Sequence, residues 1–112
     1  VAEVAGMHFH WAGEPKPAAE VARMARMTGA DAVEVAHADE AQNAALVREI
    51  KAANPGLPVF LGGFTNHENV QRRMAEADGA FVGSCLEKGS WGSAVDVEKV
   101  RRYVDLVRQL ER

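Results

Sequence analysis

Two histidines and two pairs of small residues carry the types and spacings in this sequence that could do chemistry. His8 and His10 stand two apart in the run VAGMHFH, so on a strand both imidazoles face the same way. A His-x-His pair at a strand end suits two kinds of chemistry, acid/base work near neutral pH and metal ligation. No carboxylate partner can be assigned from sequence, because the directions of Glu34 and Glu14 are not fixed by it. No metal and no cofactor are therefore assigned. His10 and His8 are the candidate acid/base or substrate-contacting groups, with packing or solvent contact as the alternative.

Gly62-Gly63 and Gly83-Ser84 form the second constellation. Paired glycines bring bare backbone amides close to an anion, and a helix beginning near Asn66 would turn its free N–H groups to the same space. Two such signals on consecutive strand ends point to a phosphate site, and the alternative is that these glycines only make tight turns. His37 could contact the ligand or start the following turn. Trp91, in a glycine-flanked loop, could cover a ligand or anchor the loop. Cys85 reads as a structural thiol without a neighbouring base.

These residues need elements to position them, and the chain supplies an alternation. Short apolar runs at Val4 to His10, Asp31 to Ala36, Pro58 to Gly62 and Gly79 to Gly83 recur at the size of a strand-plus-helix unit. Between them lie helical patterns. The first follows Pro15 and Pro17, with Val21, Met24, Ala25 and Thr28 as its stripe and Gly29 as its stop. The second spans about Asp39 to Ala53, with Leu46, Val47 and Ile50 facing inward. A short third is capped by Thr65 or Asn66. The last opens at Asp96 and carries Val97, Val100, Val104, Val107 and Leu110 as its apolar stripe. Strand and helix in strict turn predict parallel strands with right-handed crossovers. In that class the strand C-terminal ends line the site, which is where the candidate residues fall. One irregular stretch, Ser84 to Val95, is long enough to be functional.

Composition narrows the function classes. The chain has 112 residues, 47% of them apolar and 26% charged, with a net charge of −3. That is globular composition, so disorder is excluded as the main reading. An acidic balance without a Lys/Arg stripe argues against a nucleic-acid partner. No run reaches the roughly 18 apolar residues of a membrane span, and no signal peptide is evident. A cytoplasmic protein is expected, and a single cysteine fits a reducing compartment.

The last third of the chain resembles the BtpA/SgcQ family. The family pattern of an ADG-x-x-VGS strand, a Lys-containing loop with Trp and a closing x-VD-x-x-x-V helix is matched by Ala77-Asp78-Gly79, Val82-Gly83-Ser84, Lys88, Trp91, Val95-Asp96 and Val100. Pro58 to Val70 is similar to the family's PV-x-x-G-x-G-x-T-x-E-N-V, with Thr65, Glu68, Asn69 and Val70 in place. It departs at Gly62-Gly63-Phe64, where the family usually spaces its glycines with a serine between. Asp31 to Ala36 is similar to the family's sixth strand, and the match before Gly29 is looser. The resemblance implies an α/β fold of the (β/α)8 TIM-barrel type. The four units, residues 1–112, would be strands five to eight with their helices, the C-terminal half of one barrel domain. The absence of an initial Met and the strand that starts at once fit a segment of something longer.

The resemblance further implies a phosphorylated small-molecule ligand and an unsettled activity, since one member is linked to photosystem I biogenesis and another is grouped with sugar-metabolism genes. Phosphate binding is expected at Gly62, Gly63, Gly83 and Ser84, with His37, Trp91 and Lys88 as further ligand contacts. Two alternatives stand beside an enzyme of unknown reaction. One is a non-catalytic assembly factor. The other is a different phosphate-binding barrel such as the tryptophan-biosynthesis isomerases and synthases, which share the glycine-rich ends but not the Lys88/Trp91/Asp96 loop. Four units alone leave two open sheet edges, which a second copy of the chain or an N-terminal half would close.

Overall fold

A computed structural model describes residues 1–110. Strands β1 (Ala2–Ala5), β2 (Val33–Val35), β3 (Val59–Leu61) and β4 (Gly79–Ala80) alternate with helices α1 (Ala18–Met27), α2 (Glu40–Ala53), α3 (Val70–Arg73) and α4 (Val97–Arg108). A one-turn 3₁₀ helix at Ser84–Leu86 follows β4. The sheet order is β1-β2-β3-β4 with every pair parallel, as the strict alternation of elements predicts.

The period of two sorts the sheet into faces. Val4, Val33, Val35, Val59 and Leu61 are buried in one cluster with Val21 and Ala22 of α1, Val47 and Ile50 of α2 and Val70 of α3. Their neighbours point the other way. Glu3, Glu34, Phe60 and Gly79 pair in register across all four strands, so one row of the opposite face carries two carboxylates, an aromatic ring and no side chain.

The strands are shorter than the apolar runs, and β1 differs most. The register with β2 shifts between Glu3 and Ala5, and the chain leaves the sheet after Ala5. It then bends around the Glu3 carboxylate, whose Oε1 accepts the His8 N–H at 3.1 Å. Gly6 permits this, because a Cβ there would collide with that carboxylate. His8 and His10 are therefore on the loop after β1 rather than on a strand, and the expectation that they share one strand face is corrected.

The helix signals place their elements well. Asp39 Oδ1 accepts from the Gln42 N–H, and Asp96 Oδ1 accepts from the N–H groups of Glu98 and Lys99. Gly29 follows α1 with φ +104°, a conformation that favours glycine. Helix α4 is rotated from expectation. Its buried residue is Tyr103, whereas Val97 is 59% exposed and Val104 also reaches solvent. Leu106, Val107 and Leu110 complete the side packed on the core. The Tyr103 hydroxyl donates to Thr65 Oγ1 at 2.9 Å, and its ring meets the His67 ring edge-on. A large ring with a satisfied hydroxyl outweighs valine at the centre of the stripe.

Candidate functional site

The C-terminal ends of β3 and β4 open into a cleft of about 740 Å³. Residues 62–66 form one wall, residues 81–85 a second, and Met7 and Trp91 reach it from the loops after β1 and after the 3₁₀ turn. The structure thus gathers Gly62, Gly63, Gly83, Ser84 and Trp91 into one place. His8, His10, His37 and Lys88 do not line it.

The two glycine pairs are not equivalent. The Gly62 N–H donates to Val35 O at 2.8 Å and is consumed by the sheet, so Gly62 supplies a wall of the cleft and no free donor. Its lack of a side chain makes room for Glu34, whose carboxylate a Cβ at Gly62 would strike. The N–H groups of Gly63, Phe64, Gly83 and Ser84 donate to nothing among the described residues. Unpaired amides on two neighbouring strand ends line the cleft, and bare N–H groups carry partial positive charge.

The helix after β3 contributes less than its position suggests. Helix α3 has four residues, and the turn before it is closed on itself. Asn66 Oδ1 accepts from the N–H groups of Glu68 and Asn69, while Asn69 Oδ1 accepts the Asn66 N–H at 2.8 Å. These bonds take up the N–H groups of Asn66, Glu68 and Asn69 and leave those of Thr65 and His67 without an acceptor among the described residues. The N-cap position of α3 is Asn69, so Asn66 closes the turn before the helix rather than the helix itself, and Thr65 is taken by Tyr103.

Phe64 holds the least ordinary backbone of the site, with φ +65°. A non-glycine residue there is uncommon and for a bulky side chain costs energy that surrounding contacts must offset. Asn69 Nδ2 donates to Phe64 O at 2.8 Å, and the Arg73 guanidinium lies 5.8 Å from the Phe64 ring centroid. Arg73 in turn donates to the carbonyls of His37 and Ala38, at 2.9 and 2.6 Å, tying the loop after β2 to α3.

The remaining candidates resolve individually. His37 starts the turn into α2: its Nδ1 accepts the Asp39 N–H and its own N–H donates to Asn43 Oδ1. Lys88 lies in a small hairpin, where its N–H donates to Ala94 O and Glu87 bridges antiparallel to Val95. Trp91 at the hairpin tip is 88% exposed and anchors nothing, which sets aside the loop-anchor alternative. Cys85 is partly buried at the cleft wall, and burial pushes its thiol above the ordinary range although its own amide and Lys99 oppose this. Among the described residues no group of three or more His, Cys, Asp or Glu is placed to hold a metal ion. Among the described residues no helix is long and apolar enough to cross a membrane.

The carboxylate whose direction the sequence left open is now placed. Glu34 faces the open side of the sheet beside Glu3, and burial, followed by the Glu3 charge, pushes its carboxyl above the usual range. Arg73 and Tyr103 are the residues that sequence reasoning missed. The sequence named Glu34 but left its direction open. Nothing in the local pattern marks Arg73.

The site and the fold define an α/β protein with an amide-lined cleft at parallel strand ends. No family profile matches the chain, and no solved structure matches it. Among curated proteins it is similar to the tryptophan synthase alpha chain of Wolinella succinogenes, 44% identical over 43 residues. That stretch covers 38% of this chain and 17% of the relative's length.

Proposed function

We propose that this chain binds the phosphate group of a small molecule in the cleft at the ends of β3 and β4. The observation that carries the reading is the set of unpaired N–H groups at Gly63, Phe64, Gly83 and Ser84 lining one cleft. In this reading the four units are strands five to eight of a (β/α)8 barrel similar to the BtpA/SgcQ family. Support for a barrel comes from the sequential parallel sheet and from the partial match to a tryptophan synthase alpha chain, while the BtpA/SgcQ likeness rests on the motifs from Pro58 onward. Gly63, Gly83 and Ser84 keep the roles expected of them, Phe64 joins them, and Gly62 serves as wall. His8 and His10 are the acid/base candidates, on the loop whose Met7 lines the cleft, and Trp91 stands over its rim.

A second surface favours a covering partner. Strand β4 is an open edge, and between it and α4 runs an apolar groove of about 480 Å³ bordered by Met74, Ala80, Val82, Leu86, Val100 and Val104. In a closed barrel the next strand would fill it, from an N-terminal half or from a second copy of this chain.

Thermal unfolding in rising inorganic phosphate tests the site. A ligand bound only by the folded state at one hundred times its Kd stabilises by about 2.7 kcal/mol. The wild type should show a saturable rise in Tm. Ser84→Pro removes one donor and should reduce it, and circular dichroism checks that the variant folds, because Gly83 before it has ψ −85°. No rise in the wild type, or an equal rise in the variant, would contradict the reading.

A further inference from the structure

Arg73 is an anomaly that neither the fold nor the cleft alone explains. Its side chain is 5% exposed, and its Nε is buried without a hydrogen-bond partner, with the Glu40 carboxylate 3.9 Å away. A guanidinium held away from water with an unsatisfied N–H is costly, and its contacts are directed. Two of its nitrogens clasp the carbonyls of His37 and Ala38, and its Cζ lies over the Phe64 ring, 5.8 Å from the centroid. Phe64 is the one non-glycine residue with positive φ among the described residues, and it lines the cleft while Arg73 does not.

We propose that Arg73 is a positioning residue for the cleft: it braces the Phe64 ring against the loop after β2 and so holds the Gly63–Phe64 turn in the left-handed conformation that keeps its N–H groups free. The fork geometry matters. Guanidinium can reach two carbonyls and stack on a ring at once, whereas an ammonium cannot. The part that concerns ligand binding rests on the phosphate reading above, and the bracing of Phe64 does not.

The test is a double-mutant cycle on the full chain, with inorganic phosphate as probe. Arg73→Met should weaken phosphate binding on the order of tenfold, as expected when the support of a binding loop is removed. In a Phe64→Ala background, with no ring to brace, Arg73→Met should have little further effect. Arg73→Lys should behave like Arg73→Met in binding while keeping the charge, and it serves if the methionine variant does not fold. Equal losses in both backgrounds, or full retention by lysine, would overturn the proposal. A second readout needs no ligand: the HN–Hα coupling of Phe64, which reports its φ, should change in Arg73→Met. If it changes while the wild type binds no phosphate, the site reading fails and the bracing stands. An unchanged coupling overturns the bracing.

Discussion

Replacing Tyr103 by phenylalanine tests how α4 is fastened to the site-bearing loop after β3. The hydroxyl donates to Thr65 Oγ1 at 2.9 Å, and both residues are buried. Removing the donor strands a hydroxyl that water reaches poorly, at a cost of about 1 kcal/mol. For a chain of this size that corresponds to a fall in Tm of roughly 4 °C. Thr65→Val removes the other partner, and the double variant leaves neither group unsatisfied, so the two changes should couple by a comparable amount rather than add. Circular dichroism melts of the four proteins provide the numbers. Tyr103 is the sole tyrosine, so absorbance titration of the phenol reports this one group. Burial pushes its pKa above the ordinary value, although the Thr65 hydrogen bond works against this. Above about pH 10 the unfolded phenol therefore ionises before the folded one, and stability falls as pH rises through that window. Tyr103→Phe should flatten that decline. An unchanged Tm, or strictly additive single effects, would refute the account of α4.

Two further predictions concern other residues. The Glu34 carboxyl is raised by burial and by Glu3, so its contribution to stability is complete below the ordinary carboxyl range and is lost as pH rises through the raised value. Glu34→Gln should raise Tm at pH 7 more than at pH 4, and melts at both values check it. Asp96→Ala removes a side chain that accepts from two first-turn amides and should cost about 1 kcal/mol, read as a lowered urea midpoint with an unchanged m-value.

The alternation of elements, the order of units and the helix caps were legible because each rests on local chemistry. The short apolar runs at Asp31 to Ala36 and Pro58 to Gly62 contain β2 and β3, and Asp96 marked the start of α4. Strand lengths were not legible. Glu3 ends β1 by capturing an amide five residues on, and that non-periodic contact moved His8 and His10 off the sheet. Tyr103 displaced the valine stripe because a partner 38 residues away satisfies its hydroxyl. The glycines fall at the ends of β3 and β4 as read, yet sequence could not show that the Gly62 amide is spent on Val35 while Gly63 and Phe64 remain free. Pairing of backbone donors is decided between strands, where a local reading has no access.

Phosphate binding by the free amides at the two strand ends, as proposed, is open to amide NMR spectra recorded during a titration with inorganic phosphate. Saturable shifts should be largest at Gly63, Phe64, Gly83 and Ser84, with the Gly62 amide, held by Val35 O, moving less. Shifts that do not saturate, or that are largest on the arginines of α4 at positions 101, 102 and 108, would contradict it.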